Sequence, residues 1–484
     1  MKLSQILEQL DILACQADTA MEIEDIVYDS RNVTPGSAFV AVRGFETDGH
    51  RYIPQAAAKG AAVVLCEEAP SEAVPYVLVK DSRKALALAA RNFFGDPSAA
   101  LCVIGVTGTN GKTTSTYLLK HLLEQTLGAK VGLIGTNGNM IGNETLSSEH
   151  TTPESRDLQA LFAQMRDAGC THVVMEVSSH SLDLGRVDGV HFAVGLFTNL
   201  TQDHLDYHKT MENYAAAKAK LFARCEKAAV NFDDEWSGYM LQNAACPVLT
   251  YSAKSDAADL VARDIQYSAA GVKFCAVREM SIERVKLAIP GTFSVYNALG
   301  VLACMCLLGV PLRDAAPAMA TATGVKGRVE VVPTDGDYTI LIDYAHTPDA
   351  LENVLKSMQA VTQGRLVALF GCGGDRDKTK RPKMGKIAAE NADLVIVTSD
   401  NPRTEQPDAI IQDILAGIPK GTAMEVIPDR KEAIAWAIAH HQPGDVILLA
   451  GKGHEDYQII GKTKIHLDER EVVADVLRKR RERA

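Results

Sequence analysis

The sequence lacks three features that would assign a chain to a class at once. It has no excess of positive charge, since its 484 residues carry a formal net charge of −11, and this argues against a protein that coats nucleic acid. Its ten cysteines include no CxxC pair and no secretory signal stands before them, so we expect reduced cysteines and a cytoplasmic protein. It also has no run that could span a membrane, because prolines, glycines and Asn297 interrupt the uncharged stretch Leu287–Leu312, which predicts a buried helix.

What is present is a regular alternation of apolar strands and helical stretches, which predicts an α/β protein of three domains. Residues 1–98 predict a small N-terminal α/β domain, and its first residues, MKLSQILEQLDIL, predict an amphipathic helix. Residues 99–325 predict a central P-loop-type parallel sheet with helices on both faces. Residues 326–484 continue the βα order and predict a C-terminal Rossmann-like domain.

The most informative motif is the glycine-rich sequence GVTGTNGKTT at residues 105–114, directly after the apolar run Ala100–Val106. A strand, a glycine loop and a helix in this order form a cradle for phosphate, in which backbone N–H groups, a lysine and a metal-holding hydroxyl surround the anion. Position 106 holds valine where the usual pattern has glycine, so a chance glycine-rich turn is the alternative. The motif predicts a nucleoside triphosphate site, with Lys112 at the β/γ-phosphates and Thr113 or Thr114 at Mg²⁺.

Two further residues of the predicted central domain carry chemistry suited to such a site. Glu176 ends an apolar strand, so its carboxylate would lie at phosphate depth and could serve Mg²⁺ or position water. The alternative is that Glu176 caps a neighbouring helix. His204 stands in the sequence DHLDYH, whose spacing fits no zinc signature, so we expect a hard-ion or phosphate role for it.

Lys218 occupies an unusual position for a cation. On the helix predicted over Glu212–Arg224, it falls in the apolar stripe that contains Tyr214 and Leu221. One interpretation is a side chain that covers apolar surface and extends its ammonium group to water. The other is a buried lysine whose charge is altered or modified.

Glycine-rich polar runs follow four successive strands of the predicted last domain, and in a parallel sheet such strand ends form one ligand-binding edge. Three of these runs supply Arg376, Arg403 and Glu455. Two guanidinium groups and a carboxylate suit a zwitterionic amino acid, with arginine at its carboxylate and glutamate at its ammonium group. Ordinary salt bridges between the loops are the alternative.

The motifs as a series resemble the ATP-dependent Mur ligases of bacterial peptidoglycan synthesis, over nearly the whole chain. The resemblance rests on YDSRNVTPGSAFVAVRGFETDGH (28–50), GVTGTNGKTT (105–114), MEVSSHSL (175–182), TNLTQDHLDYH (198–208), YNAL (296–299), GR (327–328), DYAHTPDAL (343–351) and GCGGDRDKTKRP (371–382). The first motif is similar to that of the branch that acts on UDP-MurNAc-L-Ala-D-Glu. The valine at position 106 belongs to the loop spacing of this family.

The resemblance implies an amide-forming ligase with ATP and Mg²⁺ as cofactors. ATP would phosphorylate the D-Glu carboxylate, and an incoming amine would attack the acyl phosphate, releasing ADP and phosphate. ATP would be bound by Gly108, Thr109, Asn110, Gly111, Lys112, Thr113, Thr114, Asn297, Arg328 and His346. The catalytic residues would be Lys112, Glu176, His204 and Lys218, and the metal would be held by Thr113, Glu176, His204 and Lys218. Lys218 falls where the family carries a carbamylated lysine.

The resemblance also assigns the two other substrates. UDP-MurNAc-dipeptide would be bound by Ser30, Thr151, Thr152, Ser178 and Arg186, and Ser294 stands where the family often has asparagine. The added amino acid would be bound by Arg376, Asp400, Asn401, Pro402, Arg403, Gly451 and Glu455. Members with Asp-Asn-Pro-Arg, as at 400–403, usually add meso-diaminopimelate, whose distal carboxylate needs a cation. We therefore predict meso-diaminopimelate as the added amino acid, no nucleic-acid or membrane partner, and a monomer.

Several alternatives to this prediction stay open. Within the family, the first is an L-lysine-adding ligase, whose members lack the arginine found here at position 403. A more distant folylpolyglutamate-synthase-like ligase is the second, and the motif at 28–50 argues against it. From other classes, a P-loop switch or motor would hydrolyse ATP without small substrates, and a binding-only scaffold would not need Lys112, Thr113 and Glu176.

Overall fold

A computed structural model describes residues 1–44, 47–148 and 150–482 of the chain. Residues 45 and 46 of the motif at 28–50 lie outside the described residues. The chain divides into two compact units, Met1–Leu260 with Gly300–Ala315 and Val261–Leu299 with Ala316–Ala484. Within the described ranges, no helix is long and apolar enough to cross a membrane.

The N-terminal part of the first unit is a small sheet with helices. Its elements are α1 (Leu3–Ile6), β1 (Ile12–Gln16), β2 (Asp25–Val27), β3 (Ser37–Val40), α2 (Ile53–Ala58), β4 (Val63–Cys66), β5 (Tyr76–Val79) and α3 (Ser82–Phe93). The strand order is β1-β5-β4-β3-β2, with β1 antiparallel and the others parallel. The predicted N-terminal amphipathic helix is wrong beyond Ile6, because Gln9 adopts a left-handed conformation (φ 64°) and the chain then pairs with β5 as β1.

The remainder of the first unit is built on a sheet that is largely parallel. Its elements are β6 (Cys102–Thr107), α4 (Lys112–Leu127), β7 (Val131–Ile134), β8 (Asn139–Ile141), β9 (Glu144–Leu146), α5 (Ser155–Asp167), β10 (His172–Glu176), α6 (Ser179–Asp183), β11 (Phe192–Phe197), α7 (Leu205–His208), α8 (Met211–Ala219), β12 (Cys225–Asn231), α9 (Ser237–Asn243) and β13 (Val248–Ser252). The strand order is β13-β12-β11-β6-β10-β7-β8-β9. The strands from β13 to β7 are parallel, and β8 and β9 are antiparallel additions.

Two features of this sheet position the predicted site. β6 lies between β10 and β11, so the loops that follow these three strands meet at one edge. The helix predicted over Glu212–Arg224 ends earlier, at Ala219, and residues 220–224 form tight turns, such as Leu221 N–H to Lys218 O (3.1 Å), that lead into β12. The α/β class and the parallel central sheet are confirmed.

The second unit begins with strands that the predicted βα order did not include. β14 (Leu260–Ser268), β15 (Gly271–Arg278) and β16 (Ser281–Leu287) pair as an antiparallel meander. The predicted buried helix follows as α10 (Thr292–Leu307), and α11 (Leu312–Ala318) comes after it. Residues Gly300–Ala315, which include the second half of α10 and the start of α11, belong to the first unit. Core residues of α10 such as Val295, Leu299 and Leu302 have no exposed surface.

The rest of the second unit is a second mostly parallel sheet. Its elements are β17 (Glu330–Val332), β18 (Tyr338–Asp343), α12 (Pro348–Gln359), β19 (Leu366–Phe370), α13 (Lys380–Asn391), β20 (Leu394–Val397), α14 (Pro407–Leu415), β21 (Met424–Val426), α15 (Arg430–Ala439), β22 (Asp445–Ala450), β23 (Tyr457–Ile460), β24 (Thr463–His466) and α16 (Glu469–Arg481). The order is β17-β18-β22-β19-β20-β21, with β17 antiparallel, and β23 and β24 form a separate hairpin. Because β22 lies between β18 and β19, the loops after these strands meet at the carboxyl edge.

Candidate active site

The loop between β6 and α4 has the backbone geometry of a phosphate cradle. Gly108 (φ 152°) and Gly111 (φ 85°) adopt conformations that favour glycine. A side chain at Gly108 would also overlap the hydroxyl of Thr198. Gly111 directly precedes α4, so the unpaired N–H groups and the dipole of the first helical turn, which starts at Lys112, make this terminus suitable for an anion.

The segment after β11 holds this loop in place. Thr198 Oγ1 donates to Asn110 O (2.7 Å), and Asn199 Oδ1 accepts from Asn110 N (2.9 Å). Asn199 O accepts from Thr109 N at 2.9 Å. Neither Thr198 nor Asn199 was predicted as a site residue; the available signal in the sequence was that both follow a strand in a polar run.

Lys112 and Lys218 donate to the same carbonyl oxygen. The distances from their Nζ atoms to Gly108 O are 2.9 Å and 2.8 Å, and Lys112 also donates to Thr109 O (2.8 Å). Lys218 is 1% exposed, so its ammonium group does not extend to water and the first interpretation is wrong. Burial, and then the charge of Lys112, hold the pKa of Lys218 well below its usual range, which favours the neutral amine.

Glu176 lies at the carboxyl end of β10, buried beside the loop that follows β7. Its Oε1 accepts from Thr136 N (3.0 Å) and its Oε2 accepts from Thr136 Oγ1 (3.1 Å). Thr136 Oγ1 in turn lies 3.0 Å from Thr151 Oγ1. The carboxylate therefore bonds to a loop and not to a helix N-terminus, so the capping alternative is wrong.

His204 lies among aromatic rings near the start of α7. It is about half exposed, has a left-handed backbone (φ 53°) and its Nε2 is 3.4 Å from Asp203 Oδ2. The His180 ring stacks edge-on against the His204 ring, with ring centres 5.0 Å apart. His208 Nε2 lies 2.9 Å from Ser179 Oγ. Burial lowers the pKa of His208 to about 4, which keeps it neutral. Within the described residues, no three His, Cys, Asp or Glu side chains converge to hold a metal by themselves.

Four of the five residues predicted for UDP-MurNAc-dipeptide lie close together. Thr151 contacts Thr136, while Thr152 Oγ1 donates to Glu176 O (2.8 Å) and accepts from Ser178 N (3.2 Å). Arg186 Nη1 donates to Thr152 O at 3.1 Å. The fifth, Ser30, belongs to the N-terminal sheet, is buried, and donates to Gln55 Oε1 (2.9 Å).

Of the three residues predicted to bind the nucleotide in the second unit, Arg328 and His346 lie against Tyr344. The guanidinium carbon of Arg328 lies 5.1 Å from the centre of the Tyr344 ring, and the His346 ring centre lies 4.5 Å from it. Arg328 Nε is buried and has no hydrogen-bond partner within the described residues, so it is a donor available to a ligand. Burial lowers the pKa of His346 and favours its neutral form, and Asn297 is buried on α10.

The two arginines predicted to bind the added amino acid, Arg376 and Arg403, flank Gly373. Arg403 has a left-handed backbone (φ 52°) that bonds to the β23–β24 hairpin, and its Nη1 donates to Gly374 O (2.8 Å). A Cβ atom on Gly373 would lie 2.9 Å from Arg403 Nη1 and 3.8 Å from Arg376 Cγ. In the part of the chain that the structure describes, neither arginine forms an ion pair with a carboxylate, so the salt-bridge alternative has no support from them.

The other residues predicted for the amino acid form a second group. Asn401 Nδ2 donates to Glu455 Oε2 (2.9 Å), and Asp400 Oδ1 accepts from Asn401 N (2.6 Å). Gly451 (φ 113°) allows the close approach of Asp400, whose Oδ2 would lie 2.7 Å from a Cβ at that position. Lys452, which was not predicted as a site residue, is buried among these side chains.

A glycine loop before a helix N-terminus, a buried lysine beside it, and two arginines, Arg376 and Arg403, without a carboxylate partner in the described residues are features expected of a nucleotide-dependent ligase. The chain belongs to the Mur ligase family. Residues 106–305 match the family model described as the Mur ligase middle domain, 327–453 the Mur ligase, glutamate ligase domain, and 22–94 the Mur ligase family, catalytic domain.

The names of individual relatives are more specific than the family models, because they state the substrates of those proteins. UDP-N-acetylmuramoyl-L-alanyl-D-glutamate--2,6-diaminopimelate ligase of Caldanaerobacter subterraneus subsp. tengcongensis is 49% identical over 461 residues, 94% of this chain and 95% of that protein. A solved structure of a ligase with the same name is 34% identical, covers 99% of both chains and has a TM-score of 0.77. The MurF ligase of Thermotoga maritima, solved in complex with ADP, shares the fold at 22% identity and a TM-score of 0.62, over 95% of this chain and 99% of that one.

Proposed function

We propose that the protein joins meso-diaminopimelate to UDP-MurNAc-L-Ala-D-Glu, with ATP as the energy source, in peptidoglycan precursor synthesis. The observation that carries this proposal is the 49% identity, over 94% of the chain, to a ligase named for these two substrates. Arg376 and Arg403 of the second unit support it independently, because diaminopimelate has a second carboxylate for a guanidinium group to bind. An L-lysine-adding ligase is less well supported, since lysine offers no such carboxylate.

ATP would bind at the loop 108–113. The positive φ angles of Gly108 and Gly111 suit a loop that wraps a phosphate chain, and Lys112 would exchange its bonds to loop carbonyls for the β/γ-phosphates. The buried, unpaired Nε of Arg328 supports a polar ligand in the second unit as well, with His346 and Asn297 at its border. The bound ADP in the Thermotoga maritima relative agrees with a nucleotide cofactor.

The donor set fits Mg²⁺ better than a softer metal. The buried Glu176 carboxylate and the Thr113 hydroxyl offer oxygen, with His204 as the nitrogen ligand, and Mg²⁺ is commonly held by one or two carboxylates plus substrate phosphates. When bound, the ion would neutralise charge on the phosphates. Thr151, Thr152, Ser178 and Arg186 would hold the dipeptide end of the sugar nucleotide so that its carboxylate faces the γ-phosphate, and Ser30 would contact the nucleotide end.

The proposal predicts that nucleotide turnover depends on both other substrates. We expect ADP and phosphate to be released at full rate only when UDP-MurNAc-L-Ala-D-Glu and meso-diaminopimelate are both present, with amide product formed in equal amount. A coupled ADP assay with each substrate omitted in turn measures this, and L-lysine in place of diaminopimelate is the comparison. Steady ADP release without either small substrate would indicate a P-loop switch or motor and would overturn the proposal.

We further propose that Lys218 is carbamylated in the active enzyme. A buried neutral amine can attack CO₂, forming a carbamate anion and releasing a proton, and the anion would replace the Lys218 amine that shares Gly108 O with Lys112. The Lys218→Arg variant is expected to lose about 100-fold in kcat. Labelling with ¹³C-bicarbonate is expected to give a carbamate NMR signal that is lost in this variant and kept in Lys220→Arg, an exposed neighbour paired with Asp183. A variant as active as the parent would contradict the assignment.

A further inference from the structure

Lys452 is a buried cation beneath the loops proposed to bind the added amino acid. It follows β22 and has no exposed surface. Its Nζ donates to Tyr457 O (2.7 Å) and Asn401 Oδ1 (3.1 Å) and lies 3.4 Å from Glu455 Oε2. Because an ammonium group has three N–H donors, these three acceptors use all of them.

This arrangement fixes the orientation of the Asn401 amide. Asn401 Oδ1 accepts from both Lys452 Nζ and Ile459 N (3.0 Å), so the carbonyl end must face these donors. A flipped amide would place its NH₂ group against an ammonium and an N–H. The NH₂ end is therefore directed to Glu455 Oε2, 2.9 Å away.

The same contacts leave one oxygen of Glu455 for a ligand. Oε2 is engaged by Asn401 and Lys452, whereas Oε1 has no hydrogen-bond partner in the described part of the chain. Asp400 Oδ1 lies 4.0 Å from Lys452 Nζ, so one buried cation faces two carboxylates. Lys452, Asp400 and Glu455 together carry a net negative charge, which is suited to one additional ammonium group.

We propose that Lys452 is a positioning residue for the ammonium group of the added amino acid. It orients Asn401 and Glu455, and it compensates one of the two carboxylates so that a single ammonium completes the group. The inference rests on the proposed function and deepens it, since it names the charge that sets the geometry of the amino-acid site. Without Lys452, Glu455 and Asp400 would repel each other and Asn401 would be free to flip.

The Lys452→Met variant tests this, because methionine preserves apolar length and removes the charge. We expect the KM for meso-diaminopimelate to rise about 10- to 100-fold, while the KM values for ATP and UDP-MurNAc-L-Ala-D-Glu change by less than about 2-fold. Both Lys452 and Lys464 lie over the Tyr457 ring, with their Nζ atoms 5.9 Å and 3.5 Å from its centre. Lys464→Met is therefore the matched control, because Lys464 is exposed. Lys452→Gln, which keeps a donor, is the second variant in case methionine prevents folding, and a smaller rise in the same KM is expected.

A double-mutant cycle with Glu455→Gln separates positioning from general stability. If Lys452 acts through Glu455, Lys452→Met should add less than about 2-fold to the KM already raised by Glu455→Gln. A reduced kcat with all three KM values unchanged, or effects that multiply independently, would overturn the inference. Failure of the proposed function would be seen separately, as no diaminopimelate-dependent ADP release by the unaltered protein.

Discussion

Replacing Lys112 by methionine is expected to lower kcat about 1,000-fold, because the charge that would stabilise the transferred phosphoryl group is removed. In the structure the Lys112 ammonium lies within the loop, bonded to Gly108 O and Thr109 O, so it is already placed where phosphate would enter. Methionine keeps the length of the side chain. ADP release at saturating substrates measures kcat, and calorimetry with a non-hydrolysable ATP analogue measures nucleotide affinity.

Lys130→Met is the control for this experiment. Lys130 is an exposed lysine just beyond α4 whose Nζ donates to Ala168 O (2.7 Å), so its loss should leave kcat within about 2-fold of the parent. Thermal unfolding of both variants shows whether the loop still folds. A Lys112→Met protein that retains a tenth or more of the parent kcat would refute a phosphate role for this lysine.

Replacing Arg403 by alanine is expected to lower kcat/KM for meso-diaminopimelate about 1,000-fold and to leave ATP affinity unchanged. One N–H of its guanidinium group is used on Gly374 O, and the remaining donors can bind a carboxylate in a two-pronged geometry. Arg403→Lys keeps the charge but not the planar fork, so an intermediate loss is expected. Substrate titrations of ADP release give kcat/KM for each variant.

Comparing L-lysine with meso-diaminopimelate as substrates shows whether Arg403 acts on the distal carboxylate. Lysine lacks the distal carboxylate, so its weak use by the parent should change little in Arg403→Ala, and the preference for diaminopimelate should largely disappear. Arg478→Ala, an exposed arginine paired with Asp475, is the control. Equal losses of ATP affinity and diaminopimelate use would mean that Arg403 supports the fold and does not read the amino acid.

The phosphate loop and Lys218 could be predicted because their signals are local. A strand, a glycine loop and a helix follow each other in the sequence, and helical periodicity places Lys218 with Tyr214 on one face, where the structure buries both. The strand ends that carry Glu176 and Arg403 were likewise found from short apolar runs. The site roles of these residues stay predictions.

The residues that sequence reasoning missed depend on contacts between distant segments. Asn199 bonds to the loop at Asn110, 89 positions earlier, and Lys452 is buried against Asn401, 51 positions earlier. Contacts between residues so far apart produce no periodic pattern in the sequence. The meander β14–β16 is different, because the alternating residues of 271–287 around the turn Glu279–Met280 were a readable hairpin signal that the βα interpretation overrode.

The side chains proposed to select the amino acid all come from residues 373–461, a continuous stretch of the second unit, whereas the loop 108–113 belongs to the first. We therefore expect amino-acid selectivity to be a modular trait of this chain. Exchanging this stretch between relatives would then change which building block enters the cell-wall peptide, while the loop that supplies the chemical energy is kept. The composition of the peptide could in this way diversify without a new enzyme for activating the carboxylate.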